Sequence, residues 1–199
     1  QRGGGMPDRP AEALRYIKEY KSRCKAVVEA IPDDAVAQLI GLLGEARQRN
    51  RQVFVCGNGG SAATCSHFST DLGKCASVGR EKRFRVISLA ENMSWIMAVA
   101  NDDDYSQVFV EQLRNYAGPG DLLIAFSGSG NSANVLRAVE WANQNGLITA
   151  GVTGRPGGRL GEIAHHPVFA ESSHMASIED AHFVIQHILG YYFMEVDGD

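Results

Sequence analysis

Phe126-Ser-Gly-Ser-Gly-Asn-Ser132 is the stretch that decides how the rest of the chain is read. It follows a short apolar run, Asp121-Leu-Leu-Ile-Ala-Phe126, and precedes a helical pattern over residues 133–145. A strand that turns through small residues into a helix leaves unpaired backbone N–H groups at the helix N-terminus, and these carry partial positive charge. Ser127, Ser129 and Ser132 bring three hydroxyls to the same turn. The pattern predicts a site for an anion, most simply a phosphate. A serine-capped helix behind a buried strand, with no ligand, uses the same residue types.

On both sides of this turn strands and helices alternate. Upstream, Gln52–Cys56 reads as a buried strand, Gly57-Asn-Gly-Gly-Ser61 as a turn and residues 62–72 as a helix. A second strand covers 84–89, and helical patterns over 91–100 and 104–116 are split by Asn101-Asp-Asp-Asp104. Downstream, the helix after Ser132 stops at Asn145-Gly146, a usual C-terminal signal. Strands at 147–153 and 167–170 bracket a short helix near 160–164, and a last helix, capped by Ser177, runs to about Val196. Ahead of the first strand, Pro10 opens a helix with Leu14, Ile17, Cys24, Val27, Val28 and Ile31 on its stripe. Pro32 ends it, and Asp33 or Asp34 caps a second. These two helices form an arm whose apolar stripe needs a partner, on the body or on another subunit.

Such alternation implies right-handed crossovers and a parallel sheet covered on both faces. Ligands then bind beyond the carboxyl ends of the strands, and the turns at Gly57–Ser61 and 126–132 share that edge. Length suits one domain: residues 1–9 as a disordered tail, 10–50 as the arm and 51–199 as the core. An apolar fraction of 44%, a charged fraction of 21% and a net charge of −4 disfavour a membrane protein and a general nucleic-acid binder. Residues 1–6 lack the apolar core of a secretory signal. Cys24, Cys56, Cys65 and Cys75 form no CxxC pair and read as free thiols in a reducing cytoplasm.

The turn at Gly57–Ser61 is neither a Walker A loop nor a GxGxxG fingerprint, but its glycines permit close backbone approach and Ser61 adds a hydroxyl. His67 and Asp71 lie four apart on one helix, and Glu179, Phe183 and His187 repeat every four on another, with His182 between. Two helices that each offer a carboxylate and an imidazole suit proton transfer or a metal. Partly buried histidines bonded to their carboxylate neighbours have the same spacing. The run Arg80-Glu-Lys-Arg-Phe-Arg85 reads as a solvated loop, His165 and His166 as surface, and Met93, Trp95 and Met97 as core.

In order, Cys56-Gly-Asn-Gly-Gly-Ser61, His67-Phe68, Ala100-Asn-Asp102, Ser127-Gly-Ser-Gly-Asn-Ser-Ala-Asn134, Val152-Thr-Gly154 with Gly157-Gly158, and Ile178-Glu-Asp-Ala-His182 resemble the sugar isomerase (SIS) domain. Within that family the chain is similar to the phosphoheptose isomerases, from about residue 10 to 195. The resemblance implies a flavodoxin-like α/β fold, a three-layer αβα sandwich on a five-stranded parallel sheet. It also implies a homotetramer with active sites between subunits. Ser61, Ser127, Ser129 and Ser132 would hold the sugar phosphate, with Gly128 in the turn, and Asn58, Gly59, Gly60, Asn101, Asp102 and Glu179 would line the substrate. The implied activity is aldose–ketose isomerisation of sedoheptulose 7-phosphate to D-glycero-D-manno-heptose 7-phosphate through an enediolate. Asp71 or Glu179 would act as base and His187 as its acid/base partner, with zinc on His67, Asp71, Glu179 and His187 as in some relatives. A non-catalytic module that binds a phosphosugar or a protein, or an isomerase for another phosphosugar, is the alternative.

The chain departs from the family at Asp71, where the family has glutamate, and at Glu179, where it has glutamine. Asp71 withdraws its carboxylate by roughly 1 Å, a displacement that costs about a hundredfold in rate if nothing compensates. Glu179 adds a charge that suits a divalent metal better than an amide does. Gly128 replaces a threonine, and Ala176-Ser177 replaces a charged Asp-Arg pair. These changes point to altered sugar contacts.

Overall fold

A computed structural model describes residues 9–197 of the chain. The expected tail over residues 1–9 therefore lies outside the described residues, except Arg9, which begins a helix. The order of elements is α1 (Arg9–Glu29), α2 (Asp33–Gln48), β1 (Gln52–Cys56), α3 (Gly60–Thr70), β2 (Arg85–Ser88), α4 (Met93–Asp102), α5 (Val110–Tyr116), β3 (Leu122–Ser127), α6 (Ala133–Gln144), β4 (Ile148–Gly154), α7 (Gly158–Ile163), β5 (His166–Ala170) and α8 (Met175–Glu195). Two short segments complete it, a π turn at Asp71–Cys75 and a 3-10 turn at Tyr105–Gln107.

All five strands are parallel, in the order β2-β1-β3-β4-β5. The central strands are buried on both faces because their residues alternate between two apolar layers. Val53 and Val55 of β1 and Leu122, Ile124 and Phe126 of β3 join Leu39 and Leu43 of α2, Phe68 of α3 and Ile185 and Leu189 of α8. Phe54, Cys56, Leu123 and Ala125 face the other way, toward Val99 of α4, Leu113 of α5, Val135 and Val139 of α6 and Leu160 of α7. The helices that follow β1 and β3 thus leave on opposite faces. That divergence opens a crevice at the carboxyl ends of these two neighbouring strands, the switch point at which open α/β sheets bind ligands.

The arm adds to the first layer through Val27, Ile31, Val36 and Leu39, and Tyr20 Oη donates to Asp180 Oδ2 at 2.6 Å. Farther out on α1, Leu14, Tyr16 and Ile17 are exposed.

Several local expectations change. Pro32, with no capping side chain, precedes α2, and Asp33 and Asp34 sit in its first turn. The last helix begins two residues before Ser177, and its cap is His174, whose ring accepts from the Ser177 N–H. Met93 and Met97 are exposed rather than core, because α4 turns only Val99 fully inward. The four cysteines are free, and burial pushes the Cys56 thiol up to about 12. Among the described residues, no helix is long and apolar enough to cross a membrane.

Candidate active site

Both predicted turns reach the crevice. Asn58 and Asn134 clasp each other across it through two amide hydrogen bonds of 2.8 Å, which ties the turn after β1 to the first turn of α6. Tyr105 Oη donates to Asn58 Oδ1 at 3.1 Å. Within the serine turn, the Gly130 N–H donates to Ser127 Oγ at 3.2 Å and the Asn131 N–H to Ser129 Oγ at 3.2 Å. Ser127 Oγ and Ser132 Oγ lie 3.4 Å apart. Gly130 has φ +67°, and a methyl group there would overlap the carbonyl oxygen of Gly157. The tight turn is therefore available only to glycine.

The hydroxyls and the α6 N-terminus face a cavity of about 160 Å³. Asn58, Ser61, Ser127, Ser129 and Ser132 line it together with Phe126, Gly128, Met175 and Glu179. Helix N-termini and hydroxyl donors are what a phosphate dianion needs. Among the described residues, the one charged group on the wall is a carboxylate. Glu179 Oε1 stands 2.5 Å from where a Cβ on Gly60 would be, so it covers the first turn of α3. Met175 Sδ stands 2.5 Å from the corresponding point on Gly128, and its side chain occupies the space where the family's threonine would project.

A second cluster lies farther along the same two helices. α3 and α8 run side by side in the same direction, Gly60 against Glu179 and Asp71 against Gly190. His67 Nε2 and His187 Nε2 are 3.1 Å apart, and His67 Nε2 is 3.3 Å from Asp71 Oδ2. The Phe183 ring packs on both imidazoles at 5.0 and 4.7 Å. Asp71 is buried and opens the π turn, an irregularity common at functional sites. Its Oδ2 receives no hydrogen bond. These three residues offer ligand atoms within 4.8 Å of one another. A tetrahedral zinc with bonds of about 2.0–2.1 Å holds its donors about 3.3 Å apart, so the nitrogens and the unmet carboxylate oxygen fit such an ion. Glu179 is not among them. It is two turns nearer the start of α8, about 12 Å from His187 along the axis. Within one chain the four expected ligands are therefore three residues together and Glu179 at the serine cavity.

Asn101 and Asp102 end α4, exposed and bonded to each other at 2.8 Å, outside the cavity lining. Gly59 and Gly60 stay exposed on the turn. Sequence reasoning missed Met175, Tyr105 and the Phe183 packing, for which no local signal exists. Asn134 was legible as the end of the serine motif. Behind the turn, His182 is fully buried on Phe126, with ring centroids 5.8 Å apart. Desolvation pushes it down to about 4, against a weaker opposing effect from the Thr153 backbone.

Comparison with known proteins gives the family. The SIS domain family matches residues 15–154. A phosphoheptose isomerase of Crocosphaera subtropica is 35% identical over 157 residues, covering 77% of this chain and 78% of that protein. One from Mycobacterium bovis is 41% identical over 138 residues, 69% of this chain and 70% of its own. Among solved structures, a phosphoheptose isomerase from Neisseria gonorrhoeae superposes with a TM-score of 0.83 at 27% identity, covering 94% of this chain and 99% of that one. With the crevice, the serine turn and these relatives together, the chain belongs to the SIS domain family, in its phosphoheptose isomerase branch.

Proposed function

We propose that this protein is a phosphosugar aldose–ketose isomerase that interconverts sedoheptulose 7-phosphate and D-glycero-D-manno-heptose 7-phosphate through an enediolate. The observation that carries this reading is the pairing, along α3 and α8, of a serine-lined cavity with an imidazole–carboxylate cluster. Ser61 and His67 are six residues apart on α3, about 9 Å of helix, which is comparable to the distance from phosphate to carbonyl end in an extended heptose phosphate.

The phosphate accepts hydrogen bonds from Ser127, Ser129, Ser132 and the amides opening α6. Asp71 removes the proton alpha to the carbonyl, and His187 carries a proton between the two sugar oxygens. Glu179 contacts the sugar beside its phosphate. His67, Asp71 and His187 would hold a zinc ion, with Glu179 as a further donor only if a second subunit supplies it, and the ion would supply Lewis-acid polarisation of the sugar oxygens. A homotetramer would bring Asn101 and Asp102 to the open side of the pocket and cover the exposed Leu14, Ile17, Phe183, Ile188 and Tyr191. Four free thiols suit the cytoplasm.

The test is incubation of the pure protein with sedoheptulose 7-phosphate, with and without zinc, and analysis for the aldose. Turnover that falls about a hundredfold in Asp71→Asn supports the assignment. A thermal shift with no aldose under either condition would instead identify a non-catalytic phosphosugar-binding module.

A further inference from the structure

At the edge of the sheet opposite the serine turns, the pairing of Gln52 with Arg85 sets two basic stretches side by side. Arg47-Gln-Arg-Asn-Arg51 precedes β1, and Arg80-Glu-Lys-Arg-Phe-Arg85 leads into β2. Together they hold seven of the 19 lysines and arginines of a chain with net charge −4, and their one acid is Glu81. Between them is a cavity of about 400 Å³, whose lining includes Arg47, Glu81, Lys82, Arg83 and Arg85.

Several exposed cations elsewhere are matched to carboxylates, Arg15 to Glu19, Lys25 to Glu29, Arg114 to Glu111, Arg155 to Glu171 and Arg159 to Glu162, while Lys18, Lys21 and Lys74 stand singly on the surface. Around this cavity three unmatched cations lie together. Among the described residues, Lys82, Arg83 and Arg85 have no carboxylate partner, and all three are exposed. Lys82 Nζ donates to Gln48 Oε1 at 2.8 Å, and Arg85 Nη1 donates to Asn50 O at 2.9 Å. Lys82 Nζ also donates to Gln48 O at 3.4 Å, so these bonds hold the two heads on the cavity wall and leave one N–H of Lys82 and most of those of Arg85 unused. Arg47 forms the back of the cavity. It is 5% exposed, bonded to Asp197 and sandwiched between the Phe84 and Phe193 rings at 5.3 Å each. Its Nε and Nη1 have no acceptor. The Asp197 carboxylate offsets much of the Arg47 charge, so the positive field in the cavity comes chiefly from Lys82, Arg83 and Arg85.

We propose that this cavity is a second anion site, separate from the sugar cavity, for a small molecule carrying two or more phosphate charges. Its concave shape and the acidic balance of the rest of the chain favour a small ligand over an extended polyanion.

Calorimetric titration of the full chain with inorganic pyrophosphate tests the assignment. Ser129→Ala/Ser132→Ala removes the competing serine cradle, and this variant is expected to bind one equivalent of pyrophosphate. Lys82→Glu/Arg83→Glu is expected to weaken that binding at least tenfold, and added sodium chloride to weaken it further. Lys82→Ala/Arg83→Ala, read the same way, serves if the charge reversal does not fold. Tighter binding of ADP than of pyrophosphate would assign the site to a nucleotide, and equal binding to the phosphates alone. Unchanged affinity in the Lys82/Arg83 variants, loss of all binding in the serine variant, or no binding at millimolar pyrophosphate would overturn the proposal.

Discussion

His67 and His187 meet Nε2 to Nε2 at 3.1 Å between two helices more than a hundred residues apart in sequence, with the buried Asp71 carboxylate 3.3 Å from the first. Two imidazole nitrogens that close either share one proton or share an ion. His187→Ala and Asp71→Asn should each lower zinc affinity by about a hundredfold or more, since even the loss of an outer partner costs about 10–100-fold. Competition titration against a chromophoric chelator measures this. Equal affinity in all three proteins would show that the cluster is not a zinc site.

Glu179 puts a negative charge on the wall of the serine cavity, the only charge there among the described residues, and its sign is wrong for a phosphate. Glu179→Gln removes that repulsion. Near a protein surface, a charge at such short range is worth on the order of 1 kcal/mol or more. The KM for the phosphosugar should therefore fall about fivefold, whatever happens to kcat. A rise in KM would mean that the carboxylate accepts hydrogen bonds from the sugar that outweigh the repulsion.

Gly130 should tolerate no side chain. Its φ of +67° is left-handed, and the Gly157 carbonyl fills the space beside it. Gly130→Ala combines a conformational cost of roughly 1–2 kcal/mol with displacement of the α7 turn. A total loss of about 3 kcal/mol in urea unfolding is expected, together with loss of phosphate binding. Gly79→Ala, also left-handed but in open space, should lose only the conformational part.

His182 makes stability depend on pH. Its ordinary value of 6.5 is depressed to about 4 by burial, so between those values the unfolded chain binds the extra proton. Stability therefore falls as pH drops from about 6.5 to about 4, and the fall levels off below that. The total is about 3 kcal/mol at 1.36 kcal/mol per unit. His182→Phe should remove this component from the pH profile of unfolding. An unchanged profile would assign the acid sensitivity to other groups.

The strands and most helices were legible because their signals are local. Fully apolar runs such as Val53–Val55 and Leu122–Phe126 suit a strand buried on both faces, and small residues after each mark its turn. The ordered motifs named the family and the serine cradle by the same logic. Helix ends were read less well. His174 caps α8 through a ring nitrogen, and the π turn at Asp71 is an extra residue accommodated by packing rather than by any local preference.

The sequence by itself determined the parallel α/β class, the two glycine- and serine-rich turns and the residue types near them, since periodicity and turn chemistry act over a few residues. Only the tertiary structure decided which of those residues meet. Strand order set Ser61 beside Ser132 and the basic run at Arg80 beside Arg47. The parallel packing of α3 on α8 joined His67 and Asp71 to His187 and left Glu179 with the serines. Contacts between distant segments depend on how whole helices and sheets bury their apolar faces against each other. The spacing of residues along one helix carries no record of that.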